Sequence, residues 1–127
     1  MFKKISTPNA PAAIGPYSQA VQAGNTLYIS GQIPLDPATG EMAGSTIEVQ
    51  AEQVFKNLGA ILTEAGMTFE NVVKATVLLA DIGDFAAVNA IYGKYLCGAV
   101  LPARAAFAVK DLPKGALVEI EMIAVAE

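Results

Sequence analysis

An α+β fold is predicted by three features of this chain. Apolar residues recur at helical spacing in two stretches, Val54-Leu58-Ile61-Leu62-Ala65 and Phe85-Val88-Ile91-Tyr92-Tyr95-Leu96. Five strand-like runs surround them, and two of these, 72–81 and 118–125, are apolar on nearly both faces. No repeat or linker interrupts the order β-β-α-β-α-β-β, so residues 1–127 read as one domain with a mixed sheet and two helices on one face. Two helices blanket only one side of such a sheet. The other side is expected to pack against copies of the chain in a closed homo-oligomer.

Each element has its own signal. Residues 7–18 carry three prolines and Gly15, which predicts a stiff, extended segment. Gly15-Pro16 fixes the approach to Tyr17, which either packs as an ordinary tyrosine or turns its hydroxyl inward. Residues 18–23, the turn Gly24-Asn25 and residues 26–31 read as a hairpin. Ser30 closes it either as a strand-end hydroxyl or as a ligand contact, and Gly31 lets a backbone or ligand come close. Residues 34–40 are turn-rich.

Ser45 and Glu48 have capping-box spacing at the start of the first helix, and Gly66 stops it. Gly59 inside that helix implies close packing or ligand approach. Asp84 is placed to cap the second helix and Gly98 to end it, with Asn89 off the centre of its apolar stripe. In the last strand Glu119 and Glu121 share a face with Ile123 and Val125, while Val118, Ile120, Met122 and Ala124 take the other.

Composition excludes several chemistries. The chain has no histidine and one cysteine, so no Ser-His or Cys-His nucleophile, internal disulfide or histidine metal site can form, and no carboxylates cluster at metal-ligand spacing. No transition-metal site is expected. Twelve acidic against eight basic residues, with no basic cluster beyond Lys3-Lys4, argue against an extended nucleic-acid surface. No run has membrane-span length and no signal-type stretch follows Met1, so the hydrophobic share of 54% points to subunit interfaces rather than lipid. The lone Cys97 suits a reducing, cytoplasmic setting. Carboxylates, tyrosines, lysines and bound water are left as acid–base groups.

The only arginine, Arg104, lies in a strand-like run where period 2 puts Ala106 and Ala108 on its face. A guanidinium among small side chains needs an anionic partner or a route to water. That partner is either Glu119 or Glu121 in a buried ion pair, or a small carboxylate ligand held bidentately.

Taken together, Ala12-Ala13-Ile14-Gly15-Pro16-Tyr17-Ser18-Gln19-Ala20, Ser30-Gly31-Gln32-Ile33-Pro34, Val88-Asn89-Ala90-Ile91-Tyr92, Pro102-Ala103-Arg104 and Leu112-Pro113-Lys114-Gly115-Ala116-Leu117-Val118-Glu119-Ile120-Glu121 resemble the RidA/YjgF family from end to end. The resemblance implies a chorismate-mutase-like fold, a homotrimer whose sheets form a central barrel, and active sites between subunits. It implies cofactor-free hydrolysis of reactive 2-imino acids, such as those from 2-aminoacrylate and 2-aminocrotonate, to 2-keto acids and ammonia. Arg104 matches the arginine that holds the substrate carboxylate, and Glu119 the glutamate that positions water. Tyr17, Ser30 and Gly31 match the pocket wall, and Asn89 a further contact. Ala105 and Ala106 fall where the family uses backbone, Ala106 standing where many members carry cysteine. Gly59 stands where lysine is common. Some branches of the family lack deaminase activity, which keeps open a carboxylate-binding or chaperone-like regulatory trimer. Other members are described as ribonucleases or translation inhibitors.

Overall fold

The computed structural model describes residues 1–127. Six strands form one mixed sheet: β1 (Phe2–Ile5), β2 (Ala20–Ala23), β3 (Thr26–Gln32), β4 (Val72–Leu79), β5 (Ala103–Ala108) and β6 (Val118–Val125), in the spatial order β1-β2-β3-β6-β4-β5. Helices α1 (Ile47–Glu64) and α2 (Phe85–Tyr95) connect β3 to β4 and β4 to β5. Only the β4–β5 pair is parallel. That follows from the chain path, because a strand returning after a helical crossover runs in the same direction as the strand before it.

The sheet has one strand more than the five expected. Phe2-Lys3-Lys4-Ile5 pairs antiparallel with β2 and buries only Ile5, so it carries no apolar alternation to read. Lysines on such an edge strand guard it against pairing with another chain. The 72–81 run ends as a strand at Leu79, since Asp81 Oδ1 accepts from the Gly83 N–H at 2.8 Å and turns the chain toward α2. The first helix is capped by Thr46 rather than Ser45: Thr46 Oγ1 accepts from the Val49 N–H at 3.3 Å. Asp84 makes no capping bond, because its backbone is already helical. Gly66, at φ 75°, does stop α1, and α2 ends at Tyr95, before Gly98.

Period 2 then sorts β3, β4 and β6. Leu27, Ile29, Ala75, Val77, Leu79, Val118, Ile120, Met122 and Ala124 are buried under the helices. Val54, Phe55, Leu58, Ile61 and Leu62 of α1 and Val88 of α2 meet them, all close to fully buried. Truncating Leu58 to alanine in such a core costs about 2–5 kcal/mol. Gly59 abuts Phe69, where a Cβ would come within 3.2 Å of the ring, so its role is packing. Phe55 stacks on Tyr95 at 4.8 Å, and Tyr95 and Lys94 bond Glu52 at 2.7 and 2.5 Å, tying α2 to α1. The opposite face of the sheet is uncovered. It shows Tyr28, Phe107, Ile123 and Leu78 together with Glu119 and Glu121. No helix is long and apolar enough to cross a membrane.

Candidate active site

Arg104 and Glu119 stand on opposite faces of the sheet. In β5, Arg104 is level with Ala75, whose side chain lies under the helices, so the arginine rises on the helix side. There it meets α2. Its Nη1 donates to Asn89 Oδ1 at 2.6 Å, and its guanidinium carbon lies 4.8 Å from the Tyr92 ring centre and 5.3 Å from that of Phe85. The two rings hold the guanidinium plane by cation–π attraction, and most of its N–H donors remain uncommitted. The side chain is exposed. The buried ion pair with Glu119 or Glu121 is not formed, because β4 separates β5 from β6 and the strand parity sends the charges to opposite sides.

The small residues around Arg104 have a second consequence. The Val109 N–H donates to Leu79 at 2.9 Å. Alternation along the strand then turns the N–H groups of Ala108, Ala106 and Arg104 to the unpaired edge. A donor at Ala106 is therefore available whatever side chain the position carries. Ala105 points to the uncovered face, level with Thr76.

Glu119 faces a different space. It lines a pocket of about 580 Å³ with Tyr17, Ser30, Gly31, Pro113 and Lys114. A Cβ at Gly31 would overlap the Glu119 carboxylate, so glycine here lets that carboxylate keep its place and a larger residue would displace it. The β3–β6 register slips between Ile29 and Gln32, and this bulge brings Gly31 over the glutamate. Burial, and then the neighbouring Glu121 charge, raise the proton affinity of Glu119 above the usual carboxylate range. Ser30 Oγ donates to the Ser18 carbonyl at 2.6 Å, fastening the segment that carries Tyr17. Tyr17 is not core-packed: it is 52% exposed at the pocket mouth.

Three buried amides hold the loops around this pocket. Gln19 Nε2 donates to the carbonyls of Thr7, Ala10 and Pro11 at 3.1, 3.3 and 2.8 Å. Asn57 of α1 donates to Ile33 and Leu35 at 3.3 and 3.0 Å. Gln50 accepts from the Leu117 N–H at 2.8 Å, two residues before Glu119. Sequence reasoning passed over these amides, although a polar Asn57 beside Leu58 in an apolar stripe was the available signal. It also assigned Phe85 and Tyr92 wholly to the core.

Of the residues singled out from sequence, the fold thus gathers Tyr17, Ser30, Gly31 and Glu119 in one pocket. Arg104, Asn89 and the free Ala106 N–H form a second group at the β5 edge. A model of the family described as "Endoribonuclease L-PSP" matches residues 7–126. The chain belongs to the RidA/YjgF family. A mouse relative named 2-iminobutanoate/2-iminopropanoate deaminase is 59% identical over 123 residues, spanning 97% of this chain and 90% of the relative. A Yersinia pestis protein described as belonging to the conserved Rid family superposes with a TM-score of 0.97 at 48% identity, over 99% of this chain and all of that one. Escherichia coli TdcF, solved with bound serine, superposes with a TM-score of 0.94 at 40% identity, over 98% and 99% of the two chains. Within the RidA/YjgF fold, Gly59 lines neither group of residues.

Proposed function

We propose that this protein is a cofactor-free 2-iminobutanoate/2-iminopropanoate deaminase, working in the cytoplasm as a homotrimer. The reading is carried by one observation: a half-buried carboxylate of raised proton affinity, Glu119, faces a pocket whose floor is the Cβ-free Gly31. The mouse relative's name points the same way.

An iminium carbon is already electrophilic, so hydrolysis needs orientation and one proton acceptor rather than a nucleophile triad. Arg104 receives the substrate carboxylate on its uncommitted fork, with the Ala106 N–H as a further donor. Water adds to C2 as Glu119 takes its proton, giving a carbinolamine. Glu119 returns that proton to the nitrogen. The C2–N bond then breaks with its electron pair leaving on nitrogen, Glu119 takes the hydroxyl proton as C2=O forms, and ammonia departs, carrying that proton away from Glu119 as ammonium. Tyr17 and Ser30 wall the pocket and restrict water to the attacking molecule.

Since Arg104 and Glu119 face opposite sides of one sheet, the site is read as assembled from two copies, one supplying the arginine edge and its neighbour the Glu119 pocket. The uncovered face, with Tyr28, Phe107 and Ile123, is the adhesive area for three-fold closure. An assembled site is drier, which strengthens the arginine–carboxylate contact. A serine dehydratase that generates 2-aminoacrylate in situ tests the reading. The protein should speed decay of the intermediate and Arg104→Ala should abolish the effect. Decay at the buffer rate would contradict it, and 2-ketobutyrate binding without turnover would favour a carboxylate-binding trimer. The endoribonuclease reading ranks behind, for an acidic chain without histidine.

A further inference from the structure

The turn leading into β6 is Pro113-Lys114-Gly115-Ala116, closed by the Ala116 N–H donating to the Pro113 carbonyl at 3.1 Å. Both central residues are left-handed, Lys114 at φ 56° and Gly115 at φ 69°. This resembles a type I′ turn, which asparagine and glycine enter at little cost and lysine does not. Lys114 is the one non-glycine residue in the chain with positive φ. It lines the same pocket as Glu119, and no other cation does so. A strained residue beside a cleft marks a side chain retained for what it does there.

Glu119 is the only other charged residue lining the pocket, and the side chains of 2-iminopropanoate and 2-iminobutanoate carry no charge of their own. With Arg104 assigned to the carboxylate next to C2 and Glu119 to water, Lys114 is left to meet a charge at the far end of a longer side chain.

We propose that Lys114 forms a second anion subsite, which selects 2-imino and 2-keto acids bearing a distal carboxylate, those derived from acidic amino acids. The ligand class rests on the deaminase reading, while the subsite can be tested apart from it. Calorimetry on the full-length protein with 2-ketoglutarate and 2-ketobutyrate gives an affinity ratio for the parent, Lys114→Asn and Lys114→Arg. Asparagine suits the left-handed turn better than lysine, so Lys114→Asn should melt no lower than the parent. Its preference for 2-ketoglutarate over 2-ketobutyrate should nonetheless fall about threefold or more, while Lys114→Arg keeps it. An unchanged ratio in Lys114→Asn overturns the subsite. A Lys114-dependent ratio in a protein that leaves 2-aminoacrylate decay at the buffer rate upholds the subsite and contradicts the deaminase reading alone.

Discussion

A carboxylate whose proton affinity is raised by burial opposes folding whenever it is ionised, and Glu119 is such a group. Its folded pKa lies above the unfolded value, so its contribution to stability is complete below the unfolded pKa and is lost as pH rises through the folded one. Glu119→Gln should therefore raise the melting temperature near neutral pH. The gain should vanish below about pH 4, where the unfolded carboxylate is itself protonated. The same variant should lose roughly a hundredfold or more in turnover, the usual scale for removing a general base. A melting-temperature gain that did not depend on pH would contradict this assignment. Arg104 poses a different demand, because its planar fork stacks on Phe85 and Tyr92 while Asn89 takes one donor. Arg104→Lys keeps the charge but neither the fork nor the stacking. Its KM should rise roughly tenfold with a smaller change in kcat, and equal losses in both would contradict a ground-state binding role.

The elements behave as frames for two separated groups of residues. Helix α1 does so through Asn57, whose side chain is fully buried and holds the Ile33 and Leu35 carbonyls on the pocket wall. Asn57→Leu should lower stability by about 1–3 kcal/mol in urea titration, since two carbonyls lose their donor. An unmoved midpoint would show that the loop does not depend on the helix. This frame was only partly legible in the sequence. The faces of β6 and the stripe of α2 follow from period alone, because each is set by residues close together in the chain. Strand β1 was not legible, for its lysines erase the alternation, and the α1 cap shifted by one residue between adjacent Ser45 and Thr46. The relation of Arg104 to Glu119 was least accessible. It depends on β4 inserting between β5 and β6, a fact of sheet order that no local pattern encodes.

At the scale of the molecule, the uncovered sheet face and the divided residues ask for the same remedy, a neighbouring copy. Val77 is buried under the helices, whereas Ile123 lies on the open face, so Ile123 is the position to charge. Ile123→Asp should give a folded smaller species by light scattering with turnover lost alongside. A folded monomer working at the parent rate would contradict the shared site. Hybrid assembly addresses that site most directly. Arg104→Ala and Glu119→Gln chains, each inactive alone, are mixed, dissociated and reassembled, and turnover of 2-aminoacrylate is measured. If each site takes its arginine from one copy and its glutamate from the next, random mixing leaves about a quarter of sites intact, and activity should return to about that fraction of the parent. A site built within one chain would have one residue missing in every copy, so a mixture that stayed inactive after verified subunit exchange would contradict the account.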